Sequence, residues 1–328
     1  MRVIFAGTPE LAKTVLANLL TYGIKVCLVL TKEDSIANRG KKLTPSPVKL
    51  LALEHSIEVM QIKTFKNNDE AFIKLRSINA DLMIVAAYGL ILPQSVLDIP
   101  KFGCINIHVS LLPHLRGAAP IARAVLGGDT VTGVTIMQMD KGMDTGNILL
   151  QQSIDIDVKE TAKSLHDKLA ILGANAIIEY LKNKDNITPI AQNVIGVSYA
   201  NKIEKHEGLI NWSDSPIIIE RKIRGFNPFP ICFSYLQDVL IKIWQAHIIT
   251  LNDAINNNLI NYSVDQIKEL ASGTIIAINK EALIVKCNNG DYLLAITEVQ
   301  LANRNRQNIA QFMNNKQYEL QQFTNQPF

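Results

Sequence analysis

Along the first part of the chain, short apolar runs alternate with stripes at helical spacing. Residues 2–6, 24–30 and 81–86 read as buried strands, the last almost continuously apolar, as in a parallel sheet covered on both faces. Leu11, Val15 and Leu19 form a helical stripe that stops at Gly23, with Thr8 expected as the cap, Pro9 at the first helical position and Glu10 in the first turn. Helices are expected at 47–55, 69–77, 119–127 and 161–182, the last with Leu165, Leu169, Leu172, Ala176 and Ile177 on one stripe. Short strands are expected at 58–61, 133–137 and 147–154.

This alternation predicts an α/β fold, a Rossmann-like domain built on a mostly parallel sheet over residues 1–185. Gly7-Thr8-Pro9-Glu10 is not a GxGxxG dinucleotide motif, because Pro9 and Glu10 stand where a pyrophosphate would need close backbone. Residues 186–207, with Pro189 and little periodicity, read as a linker. From 208 to 328 the pattern changes to one helix (215–225) and short strands at 232–236, 239–249, 273–279, 282–286 and 292–299, which suggests a small barrel. The Asn-rich stretch 252–261 reads as a solvated turn.

Candidate chemistry concentrates between Cys104 and Asp144. Cys104-Ile105-Asn106-Ile107-His108 alternates with period two, so Asn106 and His108 share one strand face while Ile105 and Ile107 pack behind. A loop punctuated by Pro113 and Gly117 follows, and open α/β sheets bind ligands at such strand ends. A second loop, Met139-Asp140-Lys141-Gly142-Met143-Asp144-Thr145-Gly146, delivers a carboxylate. An amide, an imidazole and a carboxylate suit addition to a carbonyl: donors hold the oxyanion, and the acid orients the imidazole and helps move protons. Taken singly, His108 also fits a satisfied core histidine, and Asp144 a turn residue.

Composition narrows the class. With 328 residues, 48% hydrophobic and 19% charged, the chain is long enough for two globular domains. Cys27, Cys104, Cys232 and Cys287 are widely spaced, show no metal-ligand pattern and read as reduced core residues. Met1-Arg2-Val3-Ile4-Phe5-Ala6 enters a strand at once and no window is apolar enough to span a membrane, so a cytoplasmic protein is expected. The net charge of +3 does not by itself imply nucleic acid, and residues 208–328, with ten basic and ten acidic side chains, are formally neutral. Locally, Arg39, Lys41, Lys42 and Lys49 give residues 37–50 a charge of +4 without an acid; the stretch fits either a solvated loop or an arm that follows a phosphate backbone.

These residues carry a family resemblance. Asn106-x-His108-x-Ser110-Leu111-Leu112-Pro113, with Arg116-Gly117 and Asp144, resembles the signature of the folate-dependent formyltransferases. The likeness extends through Arg2 to Pro9, Arg39 to Leu43, Pro45 to Lys49, Ala87 to Pro93, Gly133 to Met137 and Phe226 to Pro230, and is strongest to the branch acting on methionyl initiator tRNA. It departs from the usual pattern at Val109 and at Ile36-Ala37-Asn38. The resemblance implies a catalytic domain over 1–185, an OB-like barrel over 208–328, and formyl transfer from 10-formyltetrahydrofolate to an amine without a metal. It implies catalytic roles for Asn106, His108 and Asp144, with Asn106 and His108 together holding the oxyanion. Folate would lie among Tyr88, Gly89, Leu92, Pro93, Ser110, Leu111, Leu112 and Pro113, and Arg39, Lys41 and Lys42 would meet tRNA. A monomer is expected. An amino-sugar or glycinamide-nucleotide acceptor, folate hydrolysis, and a non-catalytic RNA-binding module are the alternatives left open.

Overall fold

The computed structural model describes residues 1–37, 42–288, 290–313 and 321–326. Arg39 and Lys41 therefore lie outside the described residues, and of Lys42 only the backbone is described. The chain divides into two compact units: 1–121, 130–156 and 164–201 form the first, and 122–129, 157–163 and 202–328 the second.

The first unit opens with strand β1 (Arg2–Gly7), helix α1 (Glu10–Thr21) and strand β2 (Lys25–Thr31). The expected Thr8 cap is not made. The residue before the helix is Pro9, which offers no capping side chain, while the Thr8 hydroxyl donates to the Tyr88 carbonyl at 2.9 Å. A hairpin of β3 (Ser35–Ala37) and β4 (Lys42–Thr44) precedes α2 (Pro47–Glu54), which Ser46 caps by accepting from the Lys49 amide. Then come β5 (Val59–Gln61), α3 (Asp69–Ser77), β6 (Leu82–Ala86), α4 (Gln94–Leu97) and β7 (Cys104–His108). After β8 (Arg116–Gly117) the chain forms α5 (Pro120–Gly127), most of which counts with the second unit, and then β9 (Val131–Gln138), β10 (Ile148–Asp155), α6 (Ala162–Asn183) and β11 (Tyr199–Ala200).

Seven of these strands make one sheet in the order β10-β9-β7-β6-β1-β2-β5. The pairs β5–β2, β2–β1, β1–β6 and β6–β7 are parallel, and β9 and β10 add antiparallel to one side. Strand order departs in both directions from β1, so the crevice beyond the carboxyl ends of β1 and β6 is the topological switch point, where open α/β sheets bind ligands. β1 and β6 are buried along almost their whole length, which explains their near-continuous apolar sequence.

The second unit holds α7 (Pro216–Gly225) and an antiparallel sheet of β12 (Cys232–Leu236), β13 (Val239–Thr250), β14 (Ile275–Ile278), β15 (Leu283–Val285), β16 (Tyr292–Leu301), β17 (Gln307–Asn308) and β18 (Phe323–Thr324). The path β14-β15-β16-β13-β12-β18 returns on itself where Thr274 bridges Gln322, so the OB-like expectation is met by a small curled barrel. The Asn-rich stretch is not a plain turn. Its first half is helix α8 (Leu251–Asn256), started by Thr250 accepting from the Asp253 amide and held by the buried Leu251 and Ala254. Helices α9 (Val264–Glu269) and α10 (Ile309–Phe312) have no counterpart in the sequence pattern, each being too short to show a period.

Candidate active site

β7 ends beside β6, with Val85 opposite Asn106, and beside antiparallel β9, with His108 opposite Thr135. Ile105 and Ile107 are buried at 0% and 3% exposure, so the alternate face carries Asn106 and His108, as period two requires. His108 itself is buried, whereas Asn106 is half-buried, and among the described residues its amide has no hydrogen-bond partner.

Both imidazole nitrogens face oxygen. Nε2 lies 3.0 Å from the Leu115 carbonyl, which can only accept, so Nε2 carries hydrogen in this arrangement. Nδ1 lies 3.5 Å from Asp144 Oδ2, longer than a well-made hydrogen bond but within ion-pair reach. His108 Nδ1 is thus the ring nitrogen beside the acid, and Nε2 is already committed to Leu115.

Asp144 is placed from several sides. Its Oδ2 accepts the Gly117 amide at 2.8 Å. The same loop is shaped by Asp140, whose Oδ1 accepts from the Gly142 amide and the Thr145 hydroxyl at 2.9 and 2.7 Å. Asp144 holds φ at +53°, a left-handed conformation costing an L residue about 1 kcal/mol. Gly117 has φ of +115°, and a Cβ there would sit 3.0 Å from the Ala200 carbonyl, so the strand pair β8–β11 admits only glycine comfortably.

The 110–113 loop is anchored rather than free. Ser110 is fully buried and donates to the His114 carbonyl at 2.6 Å. Thr135 donates to the Ser110 carbonyl at 2.7 Å and accepts from the Leu112 amide at 3.1 Å, while Gln151 donates to the Leu112 carbonyl at 2.9 Å. Leu111 packs toward Gly133, and Leu112–Pro113 is a cis peptide. Beyond β6, Tyr88 points into the core, where burial pushes its phenol above the usual range; its hydroxyl has no partner among the described residues. Gly89 has φ of +78° and carries the Lys32 side chain against it, Pro93 precedes α4, and Leu92 lies in the same cluster as Tyr88. Met139, at the start of the Asp144 loop, packs against the same core cluster.

The structure therefore brings His108 and Asp144 into contact and sets Asn106 on the same strand face, with the 110–113 loop following β7 and the 88–93 turn following the adjacent β6. Leu115, Gln151 and Gln192 contribute from outside the residues singled out from sequence. Gln192, in the supposed linker, bonds to Asp144 and Arg116, and nothing in its neighbours' composition marks it. The Cys104 thiol at the start of β7 is pushed up to about 12 by burial and secondarily by Asp98, which removes it as a nucleophile. No group of three His, Cys, Asp or Glu side chains suited to a metal occurs among the described residues. A cavity of about 470 Å³ in the second unit, lined by Trp212, Ser272, Gln322 and Thr324 among others, has no titratable side chain in its wall and so offers no acid–base chemistry.

Residues 1–181 match the family profile described as formyl transferase, and residues 202–317 match the formyl transferase C-terminal domain. The chain is 45% identical over 313 residues to a methionyl-tRNA formyltransferase of Dechloromonas aromatica, covering 95% of each. It is 52% identical over 246 residues to one from Chromobacterium violaceum, covering 75% of this chain and 80% of that one. In fold it resembles the N-formyltransferase of Helicobacter canadensis, solved with folinic acid and dTDP-3-aminofucose, with a TM-score of 0.63, 20% identity, and 90% of this chain and 98% of that one covered.

Proposed function

This chain belongs to the formyl transferase family, and on that premise we propose that it transfers the formyl group of 10-formyltetrahydrofolate to the free amino group of methionyl initiator tRNA. The observation that carries this reading is the 3.5 Å approach of His108 Nδ1 to Asp144 Oδ2, with the unpartnered Asn106 amide on the same strand face.

In the reaction the amine nitrogen attacks the formyl carbon, and a new C–N bond forms. The carbonyl π pair moves to oxygen, and the resulting tetrahedral species collapses by breaking the bond to the folate nitrogen. One proton leaves the amine and one reaches that departing nitrogen. A free α-amino group titrates at roughly 7.7–8.0, and lower in an amino ester, so little deprotonation is needed before attack. The Asn106 amide donates to the developing oxyanion. His108 contributes through Nδ1, since Nε2 is held by Leu115, and with Asp144 it handles the proton. The oxyanion role expected for both residues thus narrows to Asn106. No step calls for a metal.

Folate is read as lying between the turn of Tyr88, Gly89, Leu92 and Pro93 and the loop from Ser110 to Pro113, the stretches that follow the adjacent parallel strands β6 and β7 at the carboxyl end of the sheet, where open α/β sheets bind ligands. Arg39, Lys41 and Lys42 are assigned to the tRNA backbone on charge alone. We assign catalysis to residues 1–185, with 186–207 as the connection and 208–328 as the OB-like part, in a monomer working in the cytoplasm.

The test supplies 10-formyltetrahydrofolate and measures formyl incorporation into methionyl initiator tRNA, uncharged tRNA, an amino-sugar nucleotide and glycinamide ribonucleotide. Incorporation into charged initiator tRNA alone is expected. Transfer to a small amine with charged tRNA inert overturns the acceptor assignment, and RNA binding without turnover overturns the enzyme reading.

A further inference from the structure

Residues 188–196 run along the surface, and every side chain in that stretch is exposed except Gln192. Gln192 turns inward and makes four hydrogen bonds with both ends of its amide. Oε1 accepts from Arg116 Nε and Nη2 at 3.1 and 2.7 Å, and Nε2 donates to the backbone carbonyls of Asp144 and Gly146 at 2.8 Å each. Arg116 is only 8% exposed and has no carboxylate partner among the described residues. Its charge therefore falls on the Gln192 oxygen, which polarises the amide and strengthens the two N–H donors at the far end.

The two carbonyls belong to the one loop where placement matters. Asp144 is held in a left-handed conformation, and Gly146 fits so closely that a Cβ there would collide with the Gln138 carbonyl. The carboxylate end of Asp144 is fixed by the Gly117 amide and its carbonyl end by Gln192; Gly117 is the neighbour of the Arg116 that Gln192 also grips. A single residue thus ties β8 to the backbone that carries the acid.

We propose that Gln192 is a positioning residue for formyl transfer, holding the 144–146 backbone so that the Asp144 carboxylate stays against His108 Nδ1. The proposal rests on the role given to Asp144 above. All four side-chain bonds of Gln192 go to Arg116 and the 144–146 backbone, so it acts through the acid.

The experiment compares turnover of the full-length protein carrying Gln192→Ala, Gln192→Glu, Asp144→Asn, or Asp144→Asn combined with either Gln192 change. Folding is checked by circular dichroism and folate-analogue binding. Gln192→Glu keeps an acceptor for Arg116 but loses both donors, so it separates the Arg116 contact from the hold on the 144–146 backbone. Each Gln192 change should lower kcat about 10–100-fold, the cost of misplacing a catalytic group by about an ångström. KM for the folate should move less than about threefold, since ground-state binding is kept. In the Asp144→Asn background the same changes should add less than about twofold, because coupled residues are not additive. Equal losses in both backgrounds, a rise in KM alone, or a Gln192→Glu variant with wild-type turnover overturns the proposal. Wild-type turnover by Asp144→Asn alone overturns the underlying role of Asp144, and the proposal with it.

Discussion

His108 and His166, both in the first unit, each meet a carboxylate, and the two contacts differ in everything but composition. His166 Nδ1 lies 3.1 Å from the Oδ1 of its sequence neighbour Asp167, on the face of α6, with side chains 29% and 55% exposed. His108 Nδ1 lies farther from its acid, 3.5 Å from Asp144, yet those side chains are only 6% and 16% exposed. The shorter contact is the weaker candidate. Adjacent residues on a solvated helix meet at no folding cost, and water screens what they gain. His108 and Asp144 meet because two loops, a left-handed aspartate and a glycine amide are arranged to bring them together, and that arrangement sits at the switch point of the sheet.

The largest effect expected from this contrast is on turnover. Asp144→Asn should lower kcat about 10²–10⁴-fold, the usual range for a positioned acid–base group, whereas Asp167→Asn should leave it unchanged. A steady-state formyl-transfer assay on both variants decides whether burial or distance marks the working pair.

Gly117→Ala attacks the scaffold instead. The left-handed φ and the close Ala200 carbonyl should make it cost about 1–3 kcal/mol of stability, read as a shift in the denaturant midpoint. If the glycine also aims Asp144, the folded fraction of this variant should lose kcat as well; loss of stability with full kcat would confine Gly117 to packing.

A third pair sharpens the comparison from the second unit. Arg123 and Glu207 are distant in sequence, bidentate at 2.7 and 3.0 Å, and part of no cleft chemistry. Hydrogen bonding to Arg123 holds the Glu207 carboxyl below its usual range against an opposing contribution from burial. A depressed folded pKa means that the stabilisation is present above the unfolded carboxylate range and is lost as pH falls through the folded value. Glu207→Gln should therefore destabilise by about 1 kcal/mol at neutral pH and progressively less in acid, with kcat untouched. A drop in kcat would show that long-range pairing alone does not separate structure from catalysis.

The smallest effect concerns the acceptor. Arg39→Ala should weaken tRNA use and reduce the salt slope of tRNA binding by about one, leaving folate binding unchanged. Altered folate affinity with normal tRNA affinity would remove that residue from the tRNA assignment.

Much of this is legible in the sequence, for identifiable reasons. The strands β1 and β6 are buried on both faces and advertise it as unbroken apolar runs, and period two puts Asn106 and His108 on one side of β7. Gln192 is not legible. A lone glutamine among exposed residues has no period, and its importance comes from Arg116 and Gly146, which are 76 and 46 residues away along the chain. The Thr8 cap fails for a related reason, since its hydroxyl is claimed by Tyr88 from another strand end. Helix α8 is hidden because asparagines suit turns, yet Thr250 and two buried apolar residues suffice to start a short helix. Local patterns report the faces of regular elements, while a site assembled from loops is written in contacts the pattern does not contain.

The most direct test of the central claim is the single-turnover rate of formyl transfer by Asn106→Ala, with 10-formyltetrahydrofolate and methionyl initiator tRNA both saturating. Removal of one oxyanion donor should slow the chemical step about 10²–10³-fold while both substrates bind as before. A near-wild-type rate would contradict the assignment of the Asn106, His108 and Asp144 edge as the place where the formyl group changes hands.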